Sequence, residues 1–276
     1  MDSTEHVDNR SVTAHIELEV REEAELVWSV AVSQDDQGAP HLASESLSIL
    51  VDGAPVEVDE VRLPDGARLH VCRAQPGRLV LDYAAEVDGT AQPANVSAVD
   101  DIVYRRPSRY AESDALGPTA WSEFAELEGK ALLDAVTSWV GTQLFYVSGS
   151  SRVTDGATQT LLARQGVCRD YAHLVIAMLR ARNVPARLVS VYAPGLSPMD
   201  FHAVVEAAID GRWHAVDATA LAPRQSLVRI ATGRDASDTA FLTVQSGRSE
   251  LQSMSVTATC SPRLPVDDVG ELVSLG

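Results

Sequence analysis

Lysine is almost missing from this chain of 276 residues: Lys130 is the only one, and every other cation is an arginine. Positive charge as a whole is scarce, with 22 Lys+Arg against 39 Asp+Glu and a net charge of −17. Such a surface repels phosphate backbones and anionic lipid, so neither nucleic acid nor a membrane is expected as a partner. No stretch approaches the roughly 18 consecutive apolar residues of a membrane-spanning helix. The opening Met1-Asp2-Ser3-Thr4-Glu5-His6 has neither the basic start nor the apolar run of a secretory leader, and a cytoplasmic protein is expected. Cysteine is scarce too. Cys72, Cys168 and Cys260 are far apart, odd in number and without a C-x-x-C pair, which excludes a zinc knuckle or a thioredoxin-like motif. In a reducing cytosol they are free thiols. Cys72 and Cys260 lie in strand-like runs and read as small core residues; Cys168 does not.

What is present is an ordinary globular balance, 45% hydrophobic and 22% charged. The first hundred residues read as β. Val12, Ala14, Ile16, Leu18 and Val20 alternate with polar residues, the period of a strand with one wet face. Leu47, Ile49 and Val51 repeat the pattern before Asp52-Gly53, and Leu79, Leu81, Tyr83, Ala85 and Val87 repeat it before Asp88-Gly89. Asp-Gly pairs mark tight turns. An antiparallel β-sandwich is expected over residues 1–105, serving as a packing or positioning module. The character changes near Arg105-Arg106-Pro107. Leu132, Val136, Trp139 and Val140 form a helical stripe within residues 129–146. A short helix is expected over 157–164, and another from about Cys168 to Arg182, stopped by Pro185. Strand-like runs recur at 186–192, 202–209 and 213–217. Helices first and strands second make an α+β catalytic domain of residues 106–276, with residues 261–276 read as a loosely attached tail.

Gln165-Gly166-Val167-Cys168-Arg169-Asp170-Tyr171-Ala172-His173 joins the last two helices. Gly166 offers the special backbone angle that ends one helix, and Cys168 falls in the first turn of the next. Unpaired N–H groups and the positive end of the dipole gather there, and both stabilise a thiolate. The same N–H groups suit the oxyanion of an acyl-transfer intermediate. Downstream, Asp210-Gly211 signals a two-residue hairpin. Pairing from that turn places His202 opposite Thr219 and Val204 opposite Asp217. His202 and Asp217 become diagonal neighbours on one face, close enough for an imidazole to donate to a carboxylate. A one-residue slip in register destroys the arrangement. Asp170 and His173, on the cysteine's own helix, form a rival Cys–Asp–His cluster. A metal site from Cys168, His173 and a carboxylate matches no ligand spacing. A non-catalytic binding or scaffold protein is the alternative from another class. The covalent chemistry needs no metal or organic cofactor; its partner is a peptide or protein amide.

At these residues the sequence resembles the transglutaminase-like superfamily in its bacterial form with an N-terminal sandwich. Tyr104-Arg105-Arg106-Pro107-Ser108-Arg109-Tyr110 resembles the segment that joins the two parts, and Gly166-Val167-Cys168-Arg169-Asp170-Tyr171-Ala172-His173 the nucleophile motif. Pro185-Ala186-Arg187 and Tyr192-Ala193-Pro194-Gly195 resemble the next strand and loop. Asp200-Phe201-His202-Ala203 and Trp213 through Asp217-Ala218-Thr219 resemble the histidine and aspartate motifs. The resemblance implies a papain-like cysteine-protease core with Cys168 as nucleophile, His202 as base and Asp217 as its orienter, acting as peptidase, amidase or transglutaminase. Two positions depart from the pattern: Val204 stands where many members carry an aromatic residue, and Ala218 where many carry proline. The first is expected to alter the pocket wall. The loop Thr232-Gly233-Arg234-Asp235 also looks family-like and is a candidate for the cleft lining.

Overall fold

The structure, a computed structural model, describes residues 9–34, 41–90 and 94–275; the start at residues 1–6 lies outside the described residues. It begins with a 20-residue strand, β1 (Asn9–Trp28), followed by β2 (His41–Val51), β3 (Ala54–Pro55), β4 (Val58–Arg62), β5 (Arg68–Ala74) and β6 (Gly77–Asp88). β1 pairs antiparallel with β6 from Asn9↔Asp88 to Val20↔Gly77. It then pairs with β5 from Ala24↔Ala74 to Trp28↔His70. β5 and β6 therefore run as one bent strand along β1, and β4 and β2 flank them in the same way. The even-numbered residues of β1 are buried on both sides of an exposed bend at Arg21, Glu22 and Glu23. Both halves thus turn the same apolar face onto one core. In hydrogen-bonding terms these strands, joined by one from the end of the chain, form a seven-stranded antiparallel sheet.

The second part of the chain holds α1 (Ala98–Val103), α2 (Gly117–Phe124), α3 (Gly129–Gln143), β7 (Phe145–Tyr146), α4 (Ala157–Ala163), β8 (Gln165–Gly166) and α5 (Cys168–Ala181). Then come β9 (Ala186–Tyr192), β10 (Phe201–Ile209), β11 (Arg212–Val216), β12 (Val228–Gly233) and β13 (Leu242–Ser261). Four of these strands form an antiparallel sheet in the order β11-β10-β9-β12. α5 lies under it with every residue from Asp170 to Arg180 buried. Leu174, Val175, Ile176 and Leu179 of α5 share a core with Leu132 and Val136 of α3 and with Leu188 and Val205 of the sheet. Each such side chain contributes about 1.5–3 kcal/mol on burial, and this buried face holds the helix in place. Among the described residues no helix is long and apolar enough to cross a membrane.

Two expectations are corrected. α3 ends at Gln143 rather than 146, because Leu144 turns extended and Phe145 and Tyr146 pair in parallel with β8. The last strand returns to the N-terminal sheet. β13 pairs with β1 from Asn9↔Ser261 to Trp28↔Leu242 and satisfies the backbone edge that β1 would otherwise leave open. Lastly, residues 261–276 are not a loose tail. The Ala215 N–H donates to the Val273 carbonyl at 2.7 Å, Leu275 is buried, and Arg224 grips Asp267 at 2.9 Å.

Candidate active site

Cys168 opens α5. Val167 is the N-cap in an extended conformation, and the Asp170 carboxylate folds back to accept its N–H at 2.8 Å and the Ser151 hydroxyl at 2.9 Å. This cap from the third helical residue fixes where the helix, and hence the sulfur, begins. Gly166 is required for space: a Cβ there would meet the Asp170 Cβ at 2.6 Å. The left-handed residue that closes α4 is Arg164, at φ 57°, so the special angle expected at Gly166 sits two residues earlier.

β10 and β11 supply the other two groups. Asp210 and Gly211 both take positive φ, 51° and 77°, as the tightest hairpin turn demands. The strands pair from Ile209↔Arg212 to Val205↔Val216 in the register that turn dictates. Just beyond, His202 Nε2 donates to Asp217 Oδ2 at 2.8 Å. The second carboxylate oxygen accepts the Thr219 N–H at 2.9 Å and the Thr219 hydroxyl at 2.7 Å. His202 is 2% exposed and Asp217 8%. The ring's remaining nitrogen, Nδ1, is buried. The Cys168 side chain interacts with this ring, and both residues line one cleft. Three side chains nominated from sequence are therefore brought together.

The electrostatics follow from that contact. Burial alone pushes His202 down, but the Asp217 carboxylate and the Cys168 sulfur outweigh it and lift the imidazole to about 10. Burial pushes Asp217 up, and the bonds from His202 and Thr219 more than reverse it, holding the acid below its usual range. The folded protein thus keeps a proton on His202 that the unfolded chain releases near pH 6.5. The resulting stabilisation is complete below that pH and is lost as pH rises through about 10. Urea melts at pH 6, 8 and 10 should therefore show a steeper loss of stability in the wild type than in His202→Gln. Parallel pH dependence of the two proteins would refute a raised imidazole pKa.

Tyr146 was not picked out from the sequence, where an aromatic residue after a helix carries no signal of its own. β7 pairs it with Gly166, and its hydroxyl meets both the backbone and the side chain of Cys168. Burial first, and the neighbouring Cys168 sulfur second, raise this phenol to about 12. The rival cluster does not form. His173 is fully buried, its Nε2 accepts the Ala236 N–H at 3.1 Å, its ring stacks on Tyr110, and burial drives it down to about 3. Asp170, its supposed partner, is occupied by the helix cap. Among the described residues no group of three or more His, Cys, Asp and Glu is placed to hold a metal ion. The loop after β12 is anchored by buried Asp235, which accepts the Tyr110 N–H at 2.9 Å; the next residues, Ala236 and Ser237, line the cleft.

Residues 119–218, which contain all three groups, match the family model of the transglutaminase-like superfamily. Over nearly the whole chain, the crystal structure of a "putative cysteine protease" from Cytophaga hutchinsonii is similar at 32% identity and a TM-score of 0.85, covering 95% of this chain and 93% of that one. The chain belongs to the transglutaminase-like superfamily. An uncharacterized protein of Mycobacterium leprae is 28% identical over 188 residues, which are 68% of this chain and 58% of that protein. The match thus spans less than two thirds of that relative. An uncharacterized protein of Mycobacterium tuberculosis is 44% identical over 61 residues, 22% of this chain and 19% of that protein.

The two departures from the superfamily pattern have plain structural consequences. Val204 is buried among Val189, Val191 and Ala215 and is not a lining residue of the cleft, so it does not shape the pocket wall as expected. Ala218 packs its carbonyl against α3 so closely that a Cβ at Gly141 would lie 2.8 Å from the Ala218 oxygen. Gly141→Ala must therefore push either α3 or the Asp217-Ala218 backbone. We expect a loss of about 1–3 kcal/mol in a urea melt and slower alkylation of Cys168, because the displaced segment carries Asp217.

Proposed function

We propose that the protein is a thiol-dependent amide hydrolase acting on peptide or protein substrates. One observation carries the reading: at the head of a helix, the Cys168 side chain meets a buried imidazole whose far nitrogen is held by a buried carboxylate. In the proposed cycle His202 Nδ1 already holds the thiol proton when substrate binds, and the sulfur adds to the acyl carbon of the amide. Charge builds on the carbonyl oxygen, with the Cys168 N–H at the positive end of α5 and the Tyr146 hydroxyl as donors beside it. His202 returns the proton to the nitrogen as the C–N bond breaks, leaving a thioester and a free amine. Water then gives a proton to His202 and adds to the thioester; the C–S bond breaks, and acid and thiol are regenerated. Asp217 holds the ring and its tautomer throughout. The nucleophile must be reduced, which fits a cytoplasmic setting.

The test is release of amine from a panel of peptide and glutamine amides, with and without an added primary amine, by wild type and Cys168→Ala. Turnover by the wild type alone is expected, with rates unaffected by the amine. Incorporation of the amine would instead make the thioester's acceptor an amine, the transglutaminase outcome. Turnover that survives Cys168→Ala would overturn the covalent mechanism.

A further inference from the structure

The cleft beside Cys168 has a volume of about 610 Å³, and its far wall lies largely outside the segment that matches the superfamily. Phe201 of β10 starts that wall, next to His202. Phe241 and Leu242, where β13 begins, continue it together with Leu251 further along the same bent strand, Ile230 of β12, and Ser29 at the end of β1. The wall is rigid. Phe201 stacks on Phe241 at 5.5 Å and packs on Tyr192 at 5.5 Å, and Tyr192 stacks on Tyr83 of the N-terminal sheet at 6.2 Å. The Tyr192 hydroxyl donates to the Val30 carbonyl at 2.8 Å, and the Ser29 N–H to the Phe241 carbonyl at 3.0 Å. An aromatic row thus runs from the neighbour of the histidine into the N-terminal core.

The chemistry of the lining selects among side chains. The chain carries 39 acidic residues, yet none of the lining residues is acidic and none is lysine. Outside the Cys168–His202 pair its charged residue is Arg169, which is engaged with Ser151, Asp170 and the Arg152 carbonyl. The Ser190 and Ser237 hydroxyls donate to the Ala231 carbonyl and to Asp235. A carboxamide or ammonium entering here finds few partners and is penalised by desolvation, whereas an apolar side chain gains by leaving water. Ser29, 3% exposed and with its hydroxyl unpartnered, suits a backbone group of the bound peptide.

We propose that this cleft selects peptides by a large apolar side chain beside the scissile amide, with the N-terminal sheet and the strand that returns to it as the selecting wall. The inference rests on the thiol-hydrolase reading above. It is tested on the full chain with a series of peptidyl vinyl sulfones that differ only in the last residue (leucine, phenylalanine, glutamine, glutamate). Iodoacetamide serves as the reference for the bare thiol, and adducts at Cys168 are followed by mass. The leucine and phenylalanine reagents should react roughly ten-fold or more faster than the glutamine and glutamate ones. In Phe241→Asp, and in Leu251→Asp at a half-exposed position that tolerates a charge, that ratio should collapse. Equal rates for all four reagents, while iodoacetamide still labels Cys168, would sink this inference alone. An undiminished ratio in both variants would remove the wall from the selection. A Cys168 inert to every reagent would overturn the thiol chemistry and the selectivity with it.

Discussion

Asp217→Asn is expected to lower amide turnover by about four orders of magnitude while the protein stays folded. The reason lies in how the two oxygens of Asp217 are used. One accepts from His202 Nε2 at 2.8 Å; the other accepts two donors from Thr219, its N–H at 2.9 Å and its hydroxyl at 2.7 Å. Asparagine has a single acceptor oxygen. Two donors on the Thr219 side outweigh one on the His202 side, so the amide turns its oxygen to Thr219 and its NH₂ to the imidazole. Nε2 must then accept instead of donate, the ring proton moves to Nδ1, and the nitrogen facing Cys168 can no longer take the thiol proton. Stability should fall only modestly, because the amide still satisfies Thr219. Alkylation of Cys168 by iodoacetamide at pH 7 should slow in parallel with turnover. Near-normal rates in Asp217→Asn would mean that the amide oxygen stays on His202 and that the tautomer argument is wrong.

How far the sequence anticipates this arrangement depends on whether a signal is local. The hairpin turn at Asp210-Gly211 fixes its own φ angles and, through them, the pairing from Ile209↔Arg212 onward; the approach of His202 to Asp217 follows from arithmetic along two strands. The α5 start is equally local, since Asp170 caps within three residues. Alternation in β1 and β6 is legible because only one face is buried. β13 fails that test: most of its 20 residues are exposed, so it lacks a clean period, and only pairing with β1, more than two hundred residues away, makes it a strand. The short helix α1 carries no periodic signal although Ser97 and Asp100 form a capping box, because six residues with no buried side chain show no stripe. Tyr146 and the cleft's far wall are invisible for the same reason. Their function comes from what packs beside them: Gly166 across a two-residue ladder, and Phe201 against Phe241.

The second large effect concerns stability. Glu206 is 1% exposed and is bound by two guanidinium groups: Arg187 donates to it at 2.8 Å and Arg229 at 2.6 Å. Burial would raise the pKa of this carboxyl, but the two arginines hold it at about 2. Arg187 is itself sandwiched over Trp213 and Tyr104, at 4.0 and 5.7 Å, and cannot swing out to water without breaking those contacts. Glu206→Gln keeps the shape and removes the anion, which leaves the buried Arg187 guanidinium without its counter-charge. We expect a loss of about 3–5 kcal/mol, read as a drop in Tm of roughly 10 °C. The sign with pH is set by the lowered pKa. The carboxylate's contribution is present above the usual carboxylate range and is lost only as pH falls toward about 2, so the deficit of the variant should persist at pH 5 and shrink in strong acid. Glu206 lies four residues from His202 along β10, about 13 Å at strand spacing, and touches neither Cys168 nor Asp217. The folded variant at low temperature should therefore alkylate Cys168 at the wild-type rate. A wild-type Tm would show that the two arginines find other partners when the carboxylate is gone. A variant that is fully folded yet slow to alkylate would tie Glu206 to the placement of His202, and the sheet would then carry strain from its ion cluster into the site.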